Sequence, residues 1–210
     1  MSYREIFESN NNDLQTILDA INELPEAGGG DTSIADAFIA RSFTEYYDDR
    51  TKIIGNHAFA SCSYLTTVEF SVAIRVGSSA FYNCESLKTC IFPAVTSVGY
   101  SAFLLCTDLT TLDFSEKISI GSGAFADCSS LTALIIRSTK AVSTIDDGAF
   151  IGSSIENGTG YVYVPRALVD SYKGVWETGY RLRECVNQLR ALEDYTVDGT
   201  ITGELDETKI

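Results

Sequence analysis

Apolar and polar residues follow one repeated phrase along residues 54–164 of this chain. Each of the first four copies starts with Ile or Val before Gly, continues through Ala-Phe to Cys, and reaches Leu three residues after the Cys. The cysteines of the first four copies recur every 22 residues, at Cys62, Cys84, Cys106 and Cys128. A fifth copy places Ser153 at the cysteine position, after an insertion around residues 137–141. A fixed period of 20 to 29 residues predicts a solenoid in which each repeat stacks on the next.

A short strand is predicted after the Leu of each copy, because every second residue there is apolar. The inward positions are expected at Val68 and Phe70, Cys90 and Phe92, Leu112 and Phe114, and Leu134 and Ile136. Stacking would align these strands as a parallel sheet on one face of the solenoid. The Ala-Phe segments are expected to form short helical or 3-10 segments on the other face. The predicted fold class is therefore an α/β solenoid, preceded by an N-terminal α-helix.

The residues between the inward positions point outward and form a predicted binding face. They are Thr67, Glu69, Thr89, Ile91, Thr111, Asp113, Ala133, Ile135, Tyr161 and Tyr163. Acidic and apolar or aromatic side chains alternate along one column of this face. An apolar centre with a polar rim is typical of a protein interface, so we predict a recognition surface here. The alternative is that Ile91 and Ile135 pack on neighbouring side chains or on the linker.

Upstream of the repeats, residues 3–24 carry apolar residues at steps of four and three. This spacing indicates either a coiled-coil helix or a single amphipathic helix that docks on the solenoid as a lid. In the first interpretation a dimer or trimer forms through Phe7, Asn10, Leu14, Ile17, Ile21 and Leu24. Pro25 would end the helix, and residues 27–30 form a flexible linker.

These patterns divide the chain into four parts. They are residues 1–30 (helix and linker), 31–164 (solenoid with a degenerate first turn over 31–53), 165–195 (helical cap) and 196–210 (acidic tail). Pro165 is expected to close the sheet and to open a helix, because proline cannot donate to a ladder and is tolerated in the first helical turn. Trp176 is expected to plug the last repeat. Val186, Leu189 and Leu192 are placed on a second helical stretch.

Six cysteines raise the question of disulfides or metal binding. Four of them occupy one repeat position, so their Cβ vectors run side by side instead of converging as a disulfide requires. We expect a buried column of reduced thiols that fills the inner turn, with Cys90 in the core. No metal and no cofactor is predicted.

Candidate catalytic residues are sparse. His57 is the single histidine and lies in a variable, solvent-facing turn, without a partner that would complete a nucleophile-base arrangement. The pairs Asp48-Asp49 and Asp146-Asp147 lack the alternate-ligand spacing of a calcium loop and are expected to be solvated turns. No catalytic residue is predicted, and we expect that the protein is not an enzyme.

Composition narrows the class of partner. Hydrophobic residues make up 45% of the chain and charged residues 21%, as in ordinary globular proteins. The net charge of −14 repels nucleic acid and anionic membranes, so neither is an expected partner. No apolar run approaches the ~20 residues that span a bilayer. The polar start lacks a secretory signal, which favours a virion-associated or cytoplasmic location over classical secretion, with the cell surface as an alternative.

The repeated phrase resembles a known family. Ile-Gly-x-x-Ala-Phe-x-x-Cys-x-x-Leu-Thr-x-Leu, as in Ile120 onward, resembles the BspA-like leucine-rich repeats of bacterial surface proteins. The ending from Tyr163 to Trp176 is similar to the closing segment of short members from gut bacteria and their phages. This resemblance implies a curved solenoid that binds a protein or glycan on a cell surface, as an adhesin or a phage receptor-binding protein. The alternative is a structural subunit of a phage tail or other assembly without its own ligand.

Overall fold

A computed structural model describes residues 44–139, 144–197 and 200–201, and its core is a stack of repeats with two strands each. The longer strands are β1 (Glu45–Asp48), β3 (Thr67–Phe70), β5 (Thr89–Ile91), β7 (Thr111–Phe114), β9 (Ala133–Ile136) and β11 (Tyr161–Val164). The two-residue strands are β2 (Ile53–Ile54), β4 (Arg75–Val76), β6 (Ser97–Val98), β8 (Ser119–Ile120) and β10 (Thr144–Ile145). Each repeat therefore contributes one strand to each of two faces.

The longer strands pair in parallel, in the orders β1-β3-β5 and β7-β9-β11, with β5 beside β7. We call this face the long-strand sheet, and it confirms the predicted parallel sheet. The two-residue strands form a second parallel sheet, ordered β2-β4-β6-β8-β10. The sequence did not predict this second sheet, because two residues are too few to establish a period of two.

The third side of the solenoid, which we call the turn wall, runs from the Gly to the Cys of each repeat. The expected short helical or 3-10 segments are wrong, since linked turns take their place. Cys106 N–H donates to Phe103 C=O within its own repeat at 3.1 Å. Phe103 N–H instead donates to Ala124 C=O of the next repeat at 2.8 Å. Because alternate amides are committed to the next layer, the bonds within a layer cannot continue as a helix.

The core is organised by a stack of phenylalanine rings along the turn wall. Ring centroids are 5.2 Å apart for Phe59 and Phe81, 5.2 Å for Phe81 and Phe103, and 5.5 Å for Phe103 and Phe125. Phe150 continues the stack at 6.1 Å. Trp176 lies 6.0 Å from Phe150 and is buried, which confirms its predicted place at the end of the last repeat.

The four repeated cysteines form the predicted buried column, and none is in a disulfide. Each thiol after the first donates to the Phe carbonyl of the preceding repeat: Cys84 to Phe59 at 2.9 Å, Cys106 to Phe81 at 3.1 Å, and Cys128 to Phe103 at 3.1 Å. Burial raises the pKa of the Cys84 and Cys106 thiols well above the ordinary value, and that of Cys128 to about 12. The thiols therefore stay protonated and serve as hydrogen-bond donors.

The repeated glycines allow successive layers of the turn wall to approach each other closely. A Cβ on Gly99 would lie 2.7 Å from the carbonyl carbon of Gly77 and 2.7 Å from the amide nitrogen of Ser78. No side chain fits there, because both neighbouring atoms belong to the backbone. The left-handed conformation occurs two residues later instead, at positions such as Ser101 (φ 51°).

The chain after Pro165 differs from the predicted cap. A 3-10 turn (Arg166–Leu168) leads into α1 (Val169–Trp176), and a second 3-10 segment (Leu182–Gln188) precedes β12 (Leu189–Ala191). β12 pairs in parallel with β11, so the expectation that Pro165 closes the sheet is wrong. Pro165 lies just after β11 and leaves its ladder intact. The second helical stretch predicted through Leu189 and Leu192 is likewise replaced by a 3-10 segment, the strand and a further 3-10 turn (Leu192–Asp194).

Both ends of the chain are described only in part. The predicted oligomerisation residues Phe7, Asn10, Leu14, Ile17, Ile21 and Leu24 lie outside the described residues, so a dimer or trimer stays a prediction. Of the predicted acidic tail, β13 (Thr196–Val197) and β14 (Thr200–Ile201) form an antiparallel pair. Within the described ranges, no helix is both long enough and apolar enough to cross a membrane.

The ring stack predicts the effect of a core truncation. Phe103 lies between two other rings, so Phe103→Ala should lower the free energy of unfolding by about 3 to 5 kcal/mol. Urea denaturation followed by circular dichroism measures this change. Tyr100→Ala, at an exposed position of the same repeat, is the control and should leave the midpoint nearly unchanged. An unchanged midpoint for Phe103→Ala would contradict the stacked core.

The thiol column predicts a pH dependence of stability. An unfolded thiol titrates near pH ~8.5, whereas the pKa of folded Cys106 is well above the ordinary value. The unfolded chain therefore loses protons first as pH rises, and stability should fall above that pH. Urea midpoints at pH 7.5 and pH 10 measure the fall for the wild type and for Cys106→Ser. The variant should fall less, because serine does not titrate and is already buried at the equivalent Ser153. Equal falls would rule out this contribution of the thiol.

Candidate recognition face

The outward residues of the long-strand sheet lie in register, as the repeat predicts. Glu69 is paired with Ile91 across β3 and β5, and Asp113 is paired with Ile135 across β7 and β9. Tyr163 follows Ile135 on β11. The parallel ladders therefore assemble the predicted column of acidic and apolar residues, together with the column of Thr67 and Thr89 beside it.

The part of this face between β3 and β7 is open to solvent. Ile91 is 43% exposed, and Thr89 and Asp113 are also exposed. Thr67, Glu69 and Thr111 are half-buried by their neighbours. We call these six residues the open half of the long-strand sheet. Its centre is an exposed isoleucine whose neighbours are carboxylates and threonine hydroxyls.

The part between β9 and β12 is covered by the chain itself. Ala133 is 4% exposed and Ile135 is 2% exposed, and both pack against the buried Leu192. The expectation that these two residues face solvent is therefore wrong. After β12 the chain turns through Leu192–Asp194 and lies over the outward face of β9.

Aromatic and ionic contacts fix this covering segment. The Tyr195 ring packs edge-on against Tyr163 with centroids 4.7 Å apart. The Arg166 guanidinium lies 2.6 Å from the Asp194 carboxylate, and Arg166 N–H donates to the Glu193 carboxylate at 3.1 Å. Burial, and then the neighbouring tyrosines, raise the pKa of Tyr163 above its usual value. Tyr163 is thus engaged within the molecule.

Two arginines contact outward residues of the long-strand sheet. Arg137 forms a bidentate pair with Asp113, with Nε–Oδ1 at 2.9 Å and Nη2–Oδ2 at 2.7 Å. This pair fixes the orientation of the Asp113 carboxylate. The Arg190 guanidinium lies 4.4 Å from the centre of the Tyr161 ring, so Tyr161 also has an intramolecular partner.

One residue of each acidic pair accepts hydrogen bonds from backbone amides of a loop. Asp48 accepts hydrogen bonds from the amides of Arg50 and Thr51, both at 2.7 Å. Although partial burial opposes its charge, the bonds from Thr51 and Arg50 hold the pKa of Asp48 below its usual value. Asp147 accepts from the amides of Arg181 and Leu182 at 2.8 and 3.0 Å. The expectation of solvated turns is therefore wrong for Asp48 and Asp147, which are half-buried and hydrogen-bonded, whereas Asp49 and Asp146 are exposed as expected.

The single histidine and the metal-binding residue types were also located in the described part of the chain. His57 is exposed on the turn wall, with a backbone φ of 58°. Across 44–139, 144–197 and 200–201, no three His, Cys, Asp or Glu side chains come close enough to hold a metal ion.

The burial of Ala133 and Ile135 could have been predicted from the sequence of β9. β9 reads Ala-Leu-Ile-Ile, four apolar residues in succession, and all four are buried. A continuous apolar run is typical of a strand that is covered on both faces. By contrast, β7 alternates Thr, Leu, Asp and Phe, and its outward residues are not covered.

Comparisons with known proteins agree with this architecture. A family model described as the BspA type leucine rich repeat region matches residues 36–159 in six copies. The match begins within the predicted degenerate first turn, ahead of the five copies read from the phrase. No curated protein matches the chain significantly.

Two solved structures are similar. A leucine-rich repeat protein from Bacteroides ovatus ATCC 8483 is 24% identical, with a TM-score of 0.54 over 71% of this chain and 36% of that chain. This likeness bears on the fold alone. A leucine rich cell surface protein from Faecalibacterium prausnitzii A2-165 is 30% identical, with a TM-score of 0.47 over 53% of this chain and 32% of that chain. The present chain thus spans about a third of the length of each protein.

The matched residues include those that build the solenoid. The repeated Gly, Phe, Cys and Leu positions form its close contacts, its ring stack and its thiol column. The match also extends over more than half of the chain. The chain therefore belongs to the BspA-type leucine-rich repeat family.

Proposed function

We propose that this protein is a non-enzymatic recognition module that binds a partner protein through the open half of its long-strand sheet. The observation that carries the proposal is Ile91, an isoleucine 43% exposed at the centre of an ordered sheet. Glu69 beside it in register and Asp113 on β7 provide a charged rim. An apolar centre within a polar rim is the arrangement of protein interfaces.

Rigidity supports a binding role for this face. Its backbone is held in parallel ladders, and Asp113 is further held by Arg137. Residues that are ordered before binding lose little conformational entropy on association, which favours affinity. The family and the fold are generally those of non-enzymatic repeat modules, which supports this part of the proposal.

We further propose that the partner is a protein on a cell surface, which is what the family resemblance implies. Bacterial adhesion and phage receptor binding are narrower versions of this role, and a cell-surface glycan is the alternative ligand class. The competing proposal, a structural subunit of an assembly, differs in requiring no ligand for this face. Ala133 and Ile135 are left out of the proposed site because the chain itself covers them.

A photo-cross-linking experiment tests the open half. A photoreactive amino acid replaces Thr89, and in a control protein it replaces Ser119, an exposed hydroxyl residue on the two-residue-strand sheet. Each protein is irradiated on intact bacterial and epithelial cells, and adducts are identified by mass spectrometry. We expect a discrete protein adduct from position 89 and none from position 119. Equal adducts at both positions, or none at either, would contradict the proposal.

A pair of matched substitutions measures the contribution of the apolar centre. Ile91→Asp should weaken binding to the cross-linked partner on the order of tenfold or more, since central apolar residues dominate interface energies. Ile53→Asp is the control, because Ile53 is 55% exposed on the two-residue-strand sheet. Both variants should keep the wild-type urea midpoint. If both bind with wild-type affinity, the open half is not the site.

A further inference from the structure

The turn wall carries a column of apolar residues that is partly exposed to solvent and lies apart from the long-strand sheet. It follows the stacked phenylalanines by one residue, at Tyr82, Leu104, Ala126 and Ile151. Tyr82 is 36% exposed and Ile151 is 40% exposed, while Leu104 is half-buried. Ala126 is buried, at 7% exposed, so the exposed part of the column is interrupted between Leu104 and Ile151.

Hydrogen bonds between layers keep this column continuous. Asn83 N–H donates to Leu104 C=O at 2.8 Å, and Leu105 N–H donates to Ala126 C=O at 3.0 Å. Asp127 N–H donates to Ile151 C=O at 2.8 Å. Four successive layers therefore present their side chains along one line.

Leu105, next to this column, has an unfavourable backbone conformation. The equivalent residues of all five repeats are left-handed, with φ between 56° and 69°: Ser61, Asn83, Leu105, Asp127 and Gly152. Serine, asparagine, aspartate and glycine suit this conformation better than leucine, which has no short polar group to bond the local backbone. Leu105 is also only half-buried, so its side chain adds little packing energy to the described core. Strain at a half-buried apolar residue outside the described core points to a role outside the fold.

The layer spacing indicates which kind of segment fits this column. Neighbouring phenylalanine rings on the turn wall are 5.2 to 6.1 Å apart. A helix that lies along the solenoid advances about 5.4 Å per turn and keeps one side chain opposite each layer. An extended strand repeats its same-face side chains every ~6.6 to 6.8 Å and falls out of step within a few layers.

Charge indicates the composition of that helix. Asp127 is exposed on the turn wall, and Glu85 and Asp108 are exposed just after its cysteines. Lys88 lies 3.7 Å from Asp108 and offsets that one charge. With a net charge of −14, this protein attracts a basic segment and repels a second copy of itself. We propose that the turn wall is a docking site for a basic amphipathic helix of another protein, centred on Leu104 and Leu105. The site is separate from the open half of the long-strand sheet and does not depend on it.

A designed helix serves as the probe. It is a fluorescein-labelled peptide of about 15 residues, with leucines on one face and lysines elsewhere, and fluorescence anisotropy measures its binding to the full chain. We expect saturable binding that Leu104→Ser with Leu105→Asn weakens at least tenfold. Ile91→Asp, on the long-strand sheet, should leave the affinity unchanged. A peptide of the same pattern with glutamate in place of lysine should not bind.

Specificity and stability controls give the proposal several ways to fail. A peptide of the same composition but scrambled order should bind at least tenfold more weakly, and equal binding would reduce the effect to charge attraction. Leu105→Asn alone should keep or raise the urea midpoint, because asparagine adopts the left-handed conformation more readily. A clear fall in that midpoint would make Leu105 a structural residue and overturn the inference.

Two other occupants of the turn wall are distinguishable. A wild-type dimer in light scattering that Leu104→Ser with Leu105→Asn dissociates would assign the turn wall to a second copy. A synthetic peptide of residues 3–24 that displaces the probe would assign it to this chain's own N-terminal segment. Either result would overturn docking of another protein. Monomeric protein and failure of that peptide to compete are the expected results.

Discussion

Hydrogen bonds between successive layers are the constraint on which this molecule depends. On the turn wall, alternate amides bond within the repeat and to the next repeat, as Cys106 and Phe103 do. On the other two sides, parallel ladders serve the same purpose. In a single repeat, the amides that bond to the next repeat would have no partner, and an unpaired buried amide lowers the free energy of unfolding. Stacking therefore satisfies the backbone at the same time as it buries the phenylalanines, and the repeats stabilise one another.

The same constraint arranges surface residues in columns. Equivalent positions stack at the layer spacing, so one substitution per repeat changes one step of a column without disturbing the core. Ile91 in the long-strand sheet is one such position, since the equivalent residue of the preceding repeat is Glu69. Leu105 on the turn wall is another, since the equivalent residue of the preceding repeat is Asn83. The C-terminal segment then limits which part of a column stays accessible, because Leu192 covers Ala133 and Ile135 but not Ile91.

The period predicted the parts of the structure that repeat. The buried thiols, the inward positions such as Leu112, and the columns of the long-strand sheet all follow from a spacing of 22 residues. The terminal Trp176 was also predicted, because a lone large aromatic after the last copy fits an open end. Once the period is known, each of these features can be predicted from the residues of its own repeat or from those just after the last repeat.

Features that depend on the layers together were missed. The turn wall has helical spacing in sequence, but its amides bond to the next layer, which no single repeat reveals. β12 and the cover over Ala133 require contacts between residues far apart in the chain. Asp147 looked like a surface acid, although it accepts two amides that lie more than 30 residues later in the chain. The period carries no information on such long-range contacts.

Deleting one whole period tests the stacking of equivalent layers most directly. Removing residues 85–106, or equally residues 96–117, takes out 22 residues and rejoins the phrase in phase. Removing residues 85–99 takes out 15 and breaks it. Urea unfolding followed by circular dichroism should show cooperative transitions for both 22-residue deletions and none for the 15-residue deletion. If the 22-residue deletions fail to fold, or all three behave alike, the layers are not equivalent and this account is wrong.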